Sequence, residues 1–295
     1  MTPYRVLALF AFTLLVALDA QAPSAWAADA AAIERGAYLA AAGDCEGCHT
    51  DKKGGTPALS GGRALVTPFG TFYGPNITPD RDTGIGKWSE ADFRRAMREG
   101  KDEEGHFLFP VFPFPSFSGM TDKDLGDLYA YLMSVPAVKR DAPDHQVKFP
   151  FGWRFLLLGW RTMFFTPGPL APVAGQSAEW NRGRYLAEAV VHCPECHTPR
   201  NLLGGLDRKR SYAGNPHGPD NNEAPDITSD KKDGIGDWKL DDLIEVLKSG
   251  QTPDGDYVGS GMGEVVEGTA KLTDADRHAI AVYIKSLPAL AATPK

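Results

Sequence analysis

Cys45-Glu46-Gly47-Cys48-His49 recurs as Cys193-Pro194-Glu195-Cys196-His197, and the two copies use all four cysteines of the chain. Few arrangements suit such a pattern. A disulfide inside C-x-x-C closes a very short loop and stabilises little. A tetrahedral zinc site would need the two pairs to converge from roughly 150 residues apart. A thioredoxin-like dithiol needs a strand–helix–strand context, which the surrounding sequence lacks. None of these explains why a histidine follows each pair. C-x-x-C-H is the attachment sequence of c-type haem: the thiols reach two vinyl groups on one porphyrin edge, and the histidine falls under the ring where its imidazole can ligate iron. The sequence therefore predicts two covalently attached haem c groups, held by Cys45, Cys48, Cys193 and Cys196, with His49 and His197 as iron ligands.

At 295 residues the chain is long enough for two domains. Residues 1–27 read as a secretory signal: Arg5 gives a positive start, Val6 to Leu18 an apolar run, and Ala25-Trp26-Ala27 a small-x-small cleavage site. An uncleaved anchor is the competing reading. Export to the periplasm fits the cofactor, because c-type haem is joined outside the bacterial cytoplasm. The formal net charge is −7, which argues against a nucleic-acid-binding role. Docking, if the acidic surface takes part in it, favours a partner with a basic patch.

The repeat extends well beyond the cysteines. Arg35-Gly36-Ala37-Tyr38-Leu39 matches Arg182-Gly183-Arg184-Tyr185-Leu186, and the Ile77–Trp88 segment matches Ile227–Trp238. Thr121-Asp122-Lys123-Asp124 matches Thr273-Asp274-Ala275-Asp276. Each repeat reads mainly as short helices. An opening helix spans roughly 30–42, with its counterpart at 180–191. A middle helix follows Trp88 with Ser89 as N-cap, and its copy follows Trp238. A last helix starts at Thr121 or Thr273. Gly36 and Gly183 allow the first helix to cross the last one closely. Tyr38 and Tyr185 are then expected to pack on Tyr131 and Tyr283.

This order of motifs, from Arg-Gly-x-Tyr-Leu through C-x-x-C-H, Asn-Ile-Thr-Pro-Asp and Thr-Gly-Ile-Gly-x-Trp to a final helix, resembles the cytochrome c subunits of bacterial membrane-associated dehydrogenases. Those subunits serve alcohol, gluconate, fructose or molybdenum-hydroxylase partners. Many carry three haems, and this chain is similar to the shorter dihaem members. The resemblance implies a mainly α fold: cytochrome c domains at 28–138 and 180–295, joined by an aromatic, basic linker over 139–179.

A soft thioether usually completes the coordination of an electron-carrying c haem. Met262 is the only methionine after His197. It stands in a glycine-rich stretch read as a flexible loop, and the resemblance places a ligand methionine at this Met-Gly-x-Val-Val site. The first repeat offers Met97, Met120 and Met133. Met97 aligns with Leu247 on an apolar helix face and reads as core, and Met133 lies inside the last helix. Met120 directly precedes the Thr121 cap, where the resemblance implies a methionine, and is the expected ligand. His106, His145, His192, His217 and His278 read as surface or packing residues, with His217 the strongest alternative ligand.

The linker segment 149–165 holds aromatic residues and two arginines, Arg154 and Arg161, and is too short and charged for a membrane span. Two readings stay open: a strap packed along both haem domains, or an exposed docking surface for a dehydrogenase or the lipid interface. The expected function is periplasmic electron transfer from a substrate dehydrogenase to a downstream cytochrome, oxidase or quinone, with no substrate pocket in this chain. The rival is an enzyme, a dihaem peroxidase or thiosulfate dehydrogenase. A peroxidase needs an open iron position, which two methionine ligands would close, and a cysteine-ligated haem has no spare cysteine.

Overall fold

The computed structural model describes residues 25–218, 220 and 222–293. Most of the expected signal, residues 1–24, lies outside the described residues. Helix α1 (Ala25–Ala42) crosses α5 (Asp122–Ser134). A Cβ on Gly36 would lie 2.0 Å from the Asp127 carbonyl oxygen, so only glycine lets the two backbones meet there. Arg35 closes the crossing with two hydrogen bonds to the Asp127 carboxylate, at 2.6 and 2.8 Å. The second repeat makes the same crossing. Its opening helix α7 (Ala178–Tyr185), extended by a π-helical turn over Leu186–Val190, meets α11 (Asp274–Lys285) at Gly183. A Cβ there would lie 1.9 Å from the Ala279 carbonyl oxygen.

Helix starts follow the sequence signals. Ser89 caps the middle helix α3 (Glu90–Glu99) in a reciprocal box with Asp92. Thr121 and Thr273 accept the Asp124 and Asp276 amides at 3.1 Å, capping α5 and α11. The short helix α4 (Phe114–Phe117) follows α3, and the copy of α3 is α9 (Leu240–Ser249). Strands are short. Antiparallel β1 (Ala64–Thr67) and β2 (Gly70–Tyr73) are joined by β3 (Gln146–Val147), with Gly70 opposite Val147, so the linker is stitched to the first repeat. In the second repeat β4 (Ala213–Asn215) pairs with β5 (Ala224–Asp226).

The repeats do not keep separate cores. One buried cluster runs from Leu39, Leu125 and Leu128 of the first to Leu186, Val190 and Ile280 of the second. The tyrosine hydroxyls clasp the halves together, a role not foreseen for them. Tyr38 donates to Asp276 at 2.6 Å and accepts the Thr273 amide at 3.1 Å. Tyr185 donates to Asp124 and accepts the Thr121 amide at 3.1 Å. Each hydroxyl thus satisfies a free amide and a carboxylate at the start of the other repeat's last helix. Each removes one orphan donor and complements the positive helix end with a fixed anion. Tyr38→Phe and Tyr185→Phe are each expected to cost about 1–2 kcal/mol, because a charged acceptor loses its donor. Urea unfolding midpoints check this, and midpoints equal to the parent's would rule the clasp out as a stabilising contact.

Segment 149–165 packs inward on one side and is exposed on the other. Helix α6 (Leu156–Phe164) packs inward: Leu157 is buried with Phe72 and Phe109. The Arg161 guanidinium lies 4.8–5.3 Å from the ring centres of Phe107, Phe114 and Phe165, contacts that compensate a cation withdrawn from water. Trp160 donates to the Leu203 carbonyl of the second repeat at 3.0 Å. On the outer side Phe149, Trp153, Phe155 and Leu158 are each more than half exposed, and Met163, also more than half exposed, borders the chamber described below.

Candidate functional site

The first cysteine motif forms a single helical turn, α2 (Cys45–His49), entered through Asp44 in the left-handed conformation. The second forms α8 (Pro194–His197), entered through Cys193 just after the left-handed His192. In both, the histidine ring is tied down in the same way. His49 Nδ1 lies 2.7 Å from the Pro75 carbonyl oxygen, and His197 Nδ1 lies 2.8 Å from that of Pro225. A carbonyl can only accept, so Nδ1 carries the proton and Nε2 keeps its lone pair free. That is the tautomer and the outer support a metal-ligating imidazole requires. Burial holds both imidazoles below the ordinary histidine range, which keeps them neutral and able to ligate. The two proline carbonyls escaped the sequence reading. Their signal was present: Pro75-Asn76-Ile77-Thr78 and Pro225-Asp226-Ile227-Thr228 recur 150 residues apart.

Both motifs open into one continuous cavity of about 1440 Å³, larger than the roughly 300–1,000 Å³ of a small-molecule cleft. Its wall takes Ile77, Trp88, Phe93, Leu128 and Phe117 from the first repeat, and Ile227, Trp238, Leu243 and Ile280 from the second. All four thiols are kept protonated. Burial, then Asp44, pushes Cys45 up to about 12, and burial pushes Cys193 up to about 12 and Cys196 to about 11. Cys48 is raised to about 12 by burial and Asp44, with a contribution from Cys196 of the other motif, so the motifs stand side by side. A reactive dithiol would need the opposite shift. Among the described residues no group of three or more His, Cys, Asp or Glu side chains is arranged to hold a metal ion, so the thiols and imidazoles do not converge as a zinc site would require. Paired thiols, a free imidazole nitrogen and an apolar chamber fit a porphyrin joined at each motif.

The chamber's polar rim also joins the repeats. Arg63 donates to the Gly47 carbonyl at 2.7 Å and pairs with Glu264 in α10 (Ser260–Thr269) of the second repeat. Glu195, buried inside the second motif, accepts from Arg200 at 2.5 Å and from Ser116 of the first repeat at 2.8 Å.

Cys45, Cys48, His49, Cys193, Cys196, His197 and Met262 all line the cavity. Met262 does so from the first turn of α10, not from the flexible loop expected for it. Met120 is not brought there: it is 1 % exposed in the shared core and is not among the cavity-lining residues. Met97 does line the cavity, from α3. So do His145, His192 and His217, three of the histidines read as surface or packing residues, His217 being also the strongest alternative ligand.

The sequence model of the cytochrome c family matches residues 33–136. A protein of Cereibacter sphaeroides described as diheme cytochrome c-type is 43% identical over 260 residues, covering 87% of this chain and 86% of that one. A nicotinate dehydrogenase subunit of Pseudomonas putida is 45% identical over 258 residues, covering 88% of this chain and 21% of that protein. The fructose dehydrogenase cytochrome subunit of Gluconobacter japonicus is 39% identical over 272 residues, 91% of this chain and 55% of that subunit. The chain thus spans about a fifth of the first of these two dehydrogenase subunits and about half of the second.

Proposed function

Because the chain belongs to the diheme cytochrome c family, we propose that it is an electron-transfer protein with two covalently attached haem c groups. It would accept electrons from a periplasmic or membrane-associated dehydrogenase and deliver them to a downstream cytochrome, oxidase or quinone. The cytochrome c units are 28–138 and 180–295, joined by 139–179, and residues 1–27 direct export to the periplasm. The observation that carries this reading is the pair of imidazoles, each fixed by a proline carbonyl beside two protonated thiols in one apolar chamber.

Bound there, haem c supplies reversible one-electron iron chemistry. The chain's own residues hold and insulate. Cys45 with Cys48, and Cys193 with Cys196, supply the sulfur atoms for attachment. His49 and His197 present Nε2 to the metal while Pro75 and Pro225 fix the ring planes. Met262 supplies a thioether to the second site. The aromatic lining keeps water out and lowers the local dielectric, which raises the effect of every nearby charge. The outer face of 149–165 offers exposed aromatic and aliphatic side chains suited to a dehydrogenase or the lipid interface. Among the described residues no helix is long and apolar enough to cross a membrane.

The test is stoichiometry followed by potentiometry. Protein from a host that attaches c-type haem should show two alkali-pyridine haemochrome equivalents per chain, retained after denaturation, and two reversible one-electron waves. Zinc in place of iron, or a chain mass without porphyrin, would refute the proposal.

A further inference from the structure

The two sides of the chamber are built in register, and that register separates them at one residue. Gly100 and Gly250 end α3 and α9 in the left-handed region, at φ 59° and 81°. Single antiparallel bridges then pair Lys101 with Phe107 and Gln251 with Tyr257. The Leu108 and Val258 amides donate to the Gly100 and Gly250 carbonyls at 2.8 and 2.9 Å. Every one of these equivalent pairs lies 150 residues apart. Five residues past the bridge, the same offset sets Phe112 against Met262, and both line the chamber. Thr121 and Thr273, by contrast, lie 152 residues apart. Two residues are therefore inserted in between, and Met120 corresponds to Leu272. Those two side chains are 1 % and 3 % exposed in the same core.

Resting on the reading of both motifs as haem sites, we propose that the first haem iron has no thioether ligand. Phe112 stands where Met262 stands in the second repeat, and the first iron's sixth position takes a small neutral ligand such as carbon monoxide or nitric oxide. A phenyl ring has no lone pair to offer a metal. It is held in place by Phe117 and Phe114, with ring centres 5.6 and 6.4 Å away. Of the neighbouring candidates, Met163 borders the chamber from α6 with a side chain more than half exposed to solvent. Met97 sits at the helix position of Leu247, a chamber-lining residue that cannot ligate. His145 accepts the Tyr73 amide at Nδ1, 3.2 Å away, so its neutral ring carries the proton on Nε2. His192 directs Nε2 to the Gly43 carbonyl at 3.3 Å. Phe93, Met97, Leu108 and Phe117, which line this side, carry no hydroxyl or amide in their side chains. Apolar walls of this kind admit a neutral diatomic molecule.

The experiment uses the full haem-loaded chain, reduced with dithionite and titrated with carbon monoxide under visible spectroscopy. The expected result is uptake of about one equivalent per chain, half the haems. Phe112→Met should abolish that uptake and strengthen the red methionine–ferric charge-transfer band of the oxidised protein. Met262→Ala should raise uptake to about two equivalents. No uptake by the parent chain overturns the proposal. So does uptake that doubles only when Met97→Leu, Met120→Leu or Met163→Leu is introduced, since that would identify the missing ligand. A haem content below two per chain is a different failure: it removes the attachment reading itself.

Discussion

Produced without haem, the chain is expected to be a collapsed or unfolded polypeptide with no cooperative thermal transition. The polypeptide alone leaves about 1440 Å³ lined mainly by apolar side chains. Flooded with water, that wall gives up the burial that stabilises it, about 25 cal/mol for each Å² left wet. A domain's whole stability is about 5–15 kcal/mol, so losing this burial at several large side chains, about 1.5–3 kcal/mol each, removes most of it. The wall is also the core: Phe93, Met97, Leu128, Leu243 and Ile280 face the chamber and belong to the cluster both repeats share. Collapse therefore spreads through both halves and is not confined to one. Far-ultraviolet circular dichroism of chain from haem-deficient cells should show reduced helicity and a broad, featureless melt. A sigmoidal transition with the helicity of the loaded protein would contradict the argument, and would mean that the helix crossings at Gly36 and Gly183 suffice alone.

What the sequence made legible was whatever local chemistry fixes at short spacing. The cysteine motifs are covalent requirements, so their spacing cannot drift. The caps at Ser89, Thr121 and Thr273 act within three residues. Gly36 and Gly183 stood out because a glycine repeated inside a helix contradicts propensity and needs a reason. The features missed all depend on partners far along the chain. Tyr38 finds Asp276 across 238 residues and Tyr185 finds Asp124 across 61, and no local pattern announces either. Ser260-Gly261-Met262-Gly263 looked like a loop by composition. It is helical as part of α10, which packs on α1 and α9. Gly268 there meets the Ala41 carbonyl so closely that a Cβ would lie 2.2 Å from it. Tertiary packing overrides weak propensity at such a place. Met120 was chosen for its neighbour Thr121 and for the resemblance, and its place in the shared core depends on packing that sequence does not show. Nothing in the sequence alone said that the Gly100 turn and its copy at Gly250 keep register.

Gly36→Ala and Gly183→Ala are expected to destabilise the protein although Gly126→Ala is expected to stabilise it. All three glycines lie within helices, and helix propensity alone favours alanine by about 1 kcal/mol. The sign is decided by what the new methyl group meets. At Gly126 the nearest atom is the Glu90 carboxylate oxygen, 3.2 Å away, the end of a half-exposed side chain that can swing aside. At Gly36 and Gly183 the methyl would lie 2.0 and 1.9 Å from backbone carbonyl oxygens of α5 and α11. Neither oxygen can rotate away, so the helices must separate and loosen the core behind them. Overpacking of this kind costs about 1–3 kcal/mol and more when the backbone is rigid. Here it falls at the upper end, because Arg35 with Asp127 and Arg182 with Asp276 clamp each crossing. After the propensity gain, a net loss of about 2 kcal/mol or more remains for each crossing glycine, against a gain of up to about 1 kcal/mol at Gly126. Denaturant midpoints of the three haem-loaded variants separate the two signs. If all three midpoints rise, propensity rather than close backbone approach governs these helices, and the crossings are looser than the distances require.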